Sequence, residues 1–392
     1  MRLRVMVVYG TRPEAIKVAP VIHALARHAV LSPVTVVSGQ HREMLDAVNA
    51  VFAIRPDHDL DVFAAGAPLA RIFSRTLERV DALLASAAPD AVLVQGDTST
   101  AAAAALAAFY RRVPVVHLEA GLRTHDLTSP FPEELNRRQI TQVAGLHLAP
   151  TAGNRSNLLM EGVQPEAVVV TGNTGIDALH LALAGPAPVA DPRLREPSGS
   201  GRRLVLVTAH RRENLGPGLE RIGRAVRRLA LQFGDVRFVT PLHRNPAVRR
   251  PLEAHLSGLP NVVLTDPLDY LDFARLLARA HLVLSDSGGV QEEAPGLGVP
   301  VVLLRDTTER PEGVDAGTVL PVGTDEDRIV EQAARILSDP AAHASVSGTA
   351  NPYGDGHAAA RAVQAVAWWF GRGRRPDDFV PEDARPRRLE AR

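Results

Sequence analysis

Three acidic residues stand where a carboxylate can do chemistry. Asp97 follows the apolar run Ala91-Val92-Leu93-Val94 within Gly96-Asp97-Thr98, Glu119 follows Val113-Pro114-Val115-Val116-His117-Leu118, and Glu133 comes just after Pro132 at the start of a helical stretch. Short apolar runs of this kind make strands buried on both faces, so Asp97 and Glu119 are expected at carboxyl ends of strands. In an open parallel sheet, ligands bind outside those ends, and carboxylates converging there suit general acid–base work, the removal and return of a proton. Each acid also has a plainer use. Asp97 can cap the helix that follows, and Glu133 and Glu134 can complement a helix dipole, worth about 0.3–1 kcal/mol. Glu119 gains less from structure alone, because a carboxylate closing an apolar strand is costly without solvent or a partner.

A second group of residues suits an anion. Leu3 to Tyr9 reads as a strand, Gly10-Thr11-Arg12-Pro13-Glu14 as a tight loop, and Ala15 to His28 as a helix. Backbone amides at that helix start, with Arg12 and Lys17, can face a phosphate, although a solvated helix face explains a lone Arg and Lys as well. Leu282-Val283-Leu284-Ser285 leads into Asp286-Ser287-Gly288-Gly289 and then a helix carrying Glu293. Glycines let amides approach a phosphate closely at the positive end of a helix, the Ser287 hydroxyl adds a donor, and Glu293 can accept from ribose hydroxyls. The stretch is neither a Gly-Lys-Ser/Thr loop nor a spaced triple glycine, which argues against ATPase and dinucleotide readings. His210, after the apolar run Leu204 to Thr208, can contact phosphate as a cation or by hydrogen bonding. Arg310, just past a strand end, can clamp a diphosphate bidentately.

The elements that must position these residues alternate strand and helix, which implies doubly wound parallel sheets. One series occupies residues 1–172. After the Pro-, Gly- and Ser-rich stretch from Gly185 to Gly201, which reads as a surface connector, a second series runs to residue 357. The fold expected is α/β, two Rossmann-like domains facing across a cleft, with a helix within residues 358–380 returning to the first domain and residues 381–392 as a flexible tail. With 44 basic and 44 acidic residues, no net field draws the chain to nucleic acid or anionic lipid, which leaves a small-molecule partner. The absence of cysteine removes thiolate chemistry and cysteine-ligated metals, and no clustered metal-ligand spacing is present, so neither a metal nor another cofactor is expected. No apolar run reaches the roughly 18 residues of a membrane span, and the N-terminus passes directly into a strand, so the chain reads as soluble and cytoplasmic.

Several runs together resemble the bacterial non-hydrolysing UDP-N-acetylglucosamine 2-epimerases. They are Gly10 to Lys17, Gln40 to Leu45, Gly96-Asp97-Thr98, His117 to Thr124, Pro132 to Arg137, Thr171 to Thr174, His210 to Asn214, Ser285 to Pro295 and Arg305 to Glu312. The resemblance implies a glycosyltransferase-B-type fold, usually dimeric, that interconverts UDP-N-acetylglucosamine and UDP-N-acetylmannosamine. It implies a catalytic set of Asp97, Glu119, Glu133 and His210. It also implies UDP contacts at Arg12, Lys17, Phe273, Ser287, Gly288, Gly289, Glu293 and Arg310. A second, activating substrate site is implied at Gln40, His41, Arg211 and His243, although Glu43 and Gly66 replace side chains common there.

The C2 proton of such a substrate is not next to a carbonyl, so departure of UDP must assist its removal. The reading is elimination of UDP across C1 and C2 to 2-acetamidoglucal, then re-addition with the proton delivered to the opposite face. General acid–base help is typically about 10²–10⁴-fold, which leaves much of the rest to stabilisation of the departing diphosphate. A hydrolysing epimerase, a relative acting on a related UDP-sugar, and a glycosyltransferase of the same fold are the alternatives.

Overall fold

The computed structural model describes residues 2–39, 42–62, 66–185, 189–195 and 201–382, with residues 42–44 by backbone alone. The chain forms two compact units, one of Met1–Leu181 with Tyr353–Val380, the other built on Ala182–Pro352.

The first unit holds β1 (Leu3–Tyr9), β2 (Leu31–Val37), β3 (His58–Asp59), β4 (Ala91–Gln95), β5 (Val115–Leu118), β6 (Leu146–Ala149) and β7 (Val168–Val170). They form one sheet in the order β3-β2-β1-β4-β5-β6-β7, with every pairing parallel. Neighbouring parallel strands need crossovers, and the helices between them cover the sheet. The helix Ser99–Tyr110 shows why the sequence suits this. Its alanines at 101–105, 107 and 108 are buried, and so small a side chain lets the helix lie close to the sheet and to the amphipathic helix Leu69–Ala87.

The second unit repeats the plan with β8 (Leu204–Thr208), β9 (Arg237–Pro241), β10 (Val262–Thr265), β11 (Leu282–Ser285), β12 (Val301–Leu303) and β13 (Val319–Pro321). The order is β10-β9-β8-β11-β12-β13, again parallel throughout. In each sheet the winding reverses at one point, between β1 and β4 and between β8 and β11. Within each unit, the loops leaving the two strands at that point are the usual place for a ligand in a doubly wound sheet. The two-domain Rossmann-like architecture is as expected from the sequence.

Three details differ from expectation. β2 begins at Leu31, three residues before the apolar run Val34-Thr35-Val36-Val37 from which a strand is expected, and contains Pro33. Its neighbour β3 pairs only with Val36 and Val37, so the missing amide of Pro33 breaks no ladder on that side. The supposed surface connector is in part packed structure. Val189 and Leu194 are buried in the apolar cluster of the second unit, and the Ala190 amide donates to Asp272 at 2.9 Å. Finally, the first unit extends beyond residue 172. On the helix Thr174–Leu183, the buried carboxylate of Asp177 accepts from the amides of Ala358 (3.2 Å) and Ala359 (2.8 Å), which open the helix Ala358–Trp369. That clasp ties the late helix to the first unit, where Trp369 packs over Gly145. Of the tail, residues 383–392 lie outside the described residues. Among the described residues, no helix is long and apolar enough to cross a membrane.

Candidate active site

In the first unit, the loops after β1 and β4 are clasped together by one acid. Glu14, in the first turn of the helix Arg12–Arg27, accepts from the amides of Gly10 (3.0 Å) and Thr11 (2.7 Å) and from the Thr98 hydroxyl (2.6 Å). Burial raises its pKa above the ordinary carboxyl value, against the pull of these donors. Arg12 is half-buried and Lys17 follows on the same helix.

Asp97 does not cap the helix after it. Thr98 does so, its hydroxyl accepting from the Ala101 amide at 3.0 Å. Asp97 instead pairs through Oδ2 with Arg137 at 2.6 Å, and its carbonyl accepts from Asn136 Nδ2 at 2.8 Å. Both partners lie on the helix Glu133–Val143, where Pro132 occupies the cap position. Glu133 and Glu134 differ sharply. Glu134 is fully buried and accepts from the Thr124 amide (3.1 Å), Arg137 (3.2 Å) and Arg138 (3.3 Å). Burial works to raise its pKa, but the Thr124 amide and the Arg137 hydrogen bond and charge outweigh it, leaving the group below the ordinary value. Glu133 Oε2 is buried and accepts no hydrogen bond among the described residues, a condition a merely dipole-matching acid would not need.

Glu119 adopts φ +64°, the left-handed region, where a non-glycine residue pays on the order of 1–2 kcal/mol. One carboxylate oxygen pairs with the Lys17 ammonium and the other accepts from Gln95 Nε2. The partner that a near-buried carboxylate requires is therefore present, and backbone strain held at such a group is characteristic of sites rather than scaffolds. Gly96 adjoins it, since a Cβ there would lie 3.4 Å from Glu119 Oε2. His117, wholly buried, donates from Nε2 to the Gly96 carbonyl at 2.8 Å, and burial pushes its pKa down to about 3, so it is neutral. Gly121, with φ +93°, permits the exit from β5, because a Cβ there would overlap the Asn154 carbonyl. Thus Asp97 is tied by direct contacts to the helix bearing Glu133, and Glu119 to Lys17 and to Gln95, two residues before Asp97.

In the second unit, His210 follows β8 and Asp286 follows β11. The amides of His210 and Arg211 and Asn214 Nδ2 all donate to the buried Asp286 carboxylate at 2.9 Å. The His210 ring stacks on His243, with centroids 6.0 Å apart and planes 9° from parallel. Desolvation lowers its pKa below the ordinary histidine value, Arg211 and His243 add to this, and Asp286 opposes it. Desolvation thus works toward the neutral ring, the form suited to a hydrogen-bonding contact.

Ser287 precedes the short helix Gly288–Glu293, and its hydroxyl is not spent on capping. A side chain at Gly288 would displace the ends of two arginines. A Cβ would come within 2.8 Å of Arg310 Nη1 and 3.2 Å of Arg211 Nη2, so two guanidinium groups lie against this glycine. Arg310 donates from Nε to Glu292 at 2.6 Å and lies 3.5 Å from Glu309. Arg211, assigned by resemblance to a second-substrate site, thus shares its surroundings with Arg310 and Gly288. Glu293 is half-buried on the same short helix, and Phe273 packs against the apolar cluster of the unit. His243 is exposed beside His210, whereas Gln40 and His41 lie outside the described residues. Among the described residues, no group of three or more His, Asp or Glu is placed to hold a metal ion.

Sequence reasoning did not single out Gln95, Arg137, Asp286 or Glu292, and gave Glu134 only a helix-dipole use. Only contact in the folded chain gives them these roles, though all but Gln95 sit inside the runs quoted above.

A family model described as UDP-N-acetylglucosamine 2-epimerase matches residues 23–367. The UDP-N-acetylglucosamine 2-epimerase of Bacillus subtilis (strain 168) is 46% identical over 382 residues, covering 97% of this chain and 99% of that protein. The crystal structure of UDP-GlcNAc 2-epimerase from Neisseria meningitidis bound to UDP-GlcNAc superposes with a TM-score of 0.86 at 44% identity, covering 93% of this chain and all of that one. The glycosyltransferase SnogD from Streptomyces nogalater, 18% identical with a TM-score of 0.57 over 94% of this chain and 99% of its own, shares the fold.

Proposed function

The chain belongs to the UDP-N-acetylglucosamine 2-epimerase family, and from that premise we propose that it interconverts UDP-N-acetylglucosamine and UDP-N-acetylmannosamine by elimination and re-addition of UDP. The observation that carries this reading is Glu119, held in a strained backbone between Lys17 and Gln95, with Asp97 close by in sequence to Gln95 and paired to Arg137 on the helix that bears Glu133. A chain that only bound a nucleotide sugar would need no such set.

One carboxylate takes the C2 proton while the C1–O bond to the diphosphate breaks, and its electrons leave with UDP. A double bond forms between C1 and C2, giving 2-acetamidoglucal. UDP then returns to C1 as a proton is delivered to the other face of C2, so atoms and charge balance. Asp97, Glu119 and Glu133 serve the proton transfers and the positive charge that develops at C1. The diphosphate is received by Ser287, Gly288, Gly289, Arg310 and Arg211, with His210 donating a hydrogen bond, and Arg12 and Lys17 assist. Glu293 and Phe273 hold the nucleoside. Such preorganised donors act where charge develops on the leaving group.

We also assign the enzyme to the cytoplasm, in keeping with its lack of cysteine. We further propose that it acts as a homodimer. Product analysis by NMR after incubation with UDP-N-acetylglucosamine tests the function. UDP-N-acetylmannosamine approaching a fixed ratio with substrate is expected. Free N-acetylmannosamine with stoichiometric UDP would replace it with the hydrolysing reaction, and unchanged substrate would overturn both.

A further inference from the structure

Arg137 is 8% exposed and holds two carboxylates at once, Glu134 through Nη1 at 3.2 Å and Asp97 through Nη2 at 2.6 Å. A buried guanidinium needs one compensating charge, and Glu134, fully buried on the same helix, supplies it. The shorter bond goes to the other acid. That acid, a quarter exposed, closes a different element, and the preceding residue of the helix, Asn136, grips its carbonyl at 2.8 Å. Side chain and backbone of Asp97 are thus both fixed from one helical turn, the turn that follows Glu133. Glu134 in its turn anchors the guanidinium, being itself held by the Thr124 amide at 3.1 Å.

Resting on the epimerase reading, we propose that Arg137 is a positioning residue for Asp97. By occupying Oδ2 it fixes the carboxylate rotamer and leaves Oδ1 as the oxygen that meets the C2 proton. A planar fork spanning two carboxylates does this where an ammonium cannot, since a point charge satisfies one geometry at a time. Misplacement of a reacting group by about 1 Å can lower a rate about 10²-fold without weakening substrate binding.

The test is a double-mutant cycle in the full chain between Arg137→Gln and Asp97→Asn, with Arg137→Lys as the conservative variant, read as kcat and KM for UDP-N-acetylglucosamine. Arg137→Gln is expected to lower kcat about 10²-fold with KM within a few-fold, and Arg137→Lys to recover only part of the loss. In the Asp97→Asn background, Arg137→Gln is expected to add little, because the residue through which it acts is already disabled. Losses that multiply in the double variant, or a normal kcat in Arg137→Gln, would overturn the positioning role. A merely structural arginine would lower the melting temperature and the fraction of UDP-binding sites, leaving kcat per site and the non-additivity unmoved. Should Arg137→Gln fail to fold, the same cycle run with Arg137→Lys decides on the same criteria. If the unaltered enzyme left UDP-N-acetylglucosamine unchanged, the reaction assignment would fail instead, so the two failures are distinct.

Discussion

Asp286 holds His210 at two points, accepting its backbone amide at 2.9 Å and lying 3.5 Å from its ring Nδ1. The carboxylate is wholly buried at the end of β11, whereas the ring it steadies is 41% exposed. This arrangement biases Nδ1 toward the acid, which leaves Nε2 for a ligand. Replacing Asp286 with Ala removes the acceptor from three donors, and each unsatisfied buried donor costs about 1–3 kcal/mol. Lower stability in urea, and a His210 imidazole resonance that titrates at lower pH than in the unaltered protein, are expected. An unchanged His210 titration would show that Asp286 serves the loop alone.

Gly288 gives a sharper test of the anion site. The Cβ of Gly288→Ala would meet the tips of Arg310 and Arg211, which can swing aside, so the melting temperature should change little. Displacing both guanidiniums should weaken UDP binding by at least about tenfold, about 1.4 kcal/mol, as measured by calorimetry. UDP affinity equal to that of the unaltered protein would exclude these arginines as the diphosphate clamp.

Much of this was legible in the sequence, and the rest was not for identifiable reasons. Apolar runs ending in Asp97 and Glu119 announced buried parallel strands and their ligand-facing ends, because a strand covered on both faces has no polar alternation to confuse it. The role of Arg137 was hidden, since its partner Asp97 lies forty residues earlier and meets it only through sheet order. Asp97 itself was ambiguous between a cap and a site residue until Thr98, its neighbour, took the cap. Val189 and Leu194 were obscured by the proline, glycine and serine around them, although two apolar residues are enough to pin a short segment to a core.

The acids can be separated by nearly isosteric changes that remove charge. Asp97→Asn, Glu119→Gln and Glu133→Gln should each lower turnover by about 10²-fold or more, with UDP affinity within a few-fold. Glu119→Gln should in addition alter the Lys17 environment, since the charge paired with that ammonium is removed. Normal turnover in Glu133→Gln would return that residue to a helix-dipole role.

Acid should destabilise the protein through two buried histidines. Burial pushes His117 down to about 3 and His147 down to about 4, both below the ordinary value of 6.5. Below pH 6.5 the unfolded chain takes up protons at these sites that the native protein refuses until pH 3–4. Stability therefore rises with pH across this window and is lost on acidification, by up to about 1.4 kcal/mol per pH unit for each histidine. Urea unfolding between pH 7 and pH 4.5 should show this slope, and His147→Gln should reduce it by one proton. A slope identical in the variant would sink the assignment to His147.

The C2 hydrogen distinguishes the proposed chemistry from every alternative that leaves the sugar carbon alone. Elimination must break the C2–H bond, and a carboxylic acid with solvent access exchanges its proton before returning it. Asp97 is a quarter exposed and so meets that condition. In deuterated water, the UDP-N-acetylmannosamine formed should therefore carry deuterium at C2, and recovered UDP-N-acetylglucosamine should acquire it as equilibrium is approached. Traces of 2-acetamidoglucal and free UDP should accumulate, most in Asp97→Asn and Glu133→Gln, where slow re-addition lets the intermediate escape. Full activity after exhaustive chelation and without added nicotinamide should accompany this, since the steps move only a proton and a leaving group. Product with protium alone at C2 would rule out a solvent-exchanging base, and a requirement for added nicotinamide would replace elimination with a transient ketone.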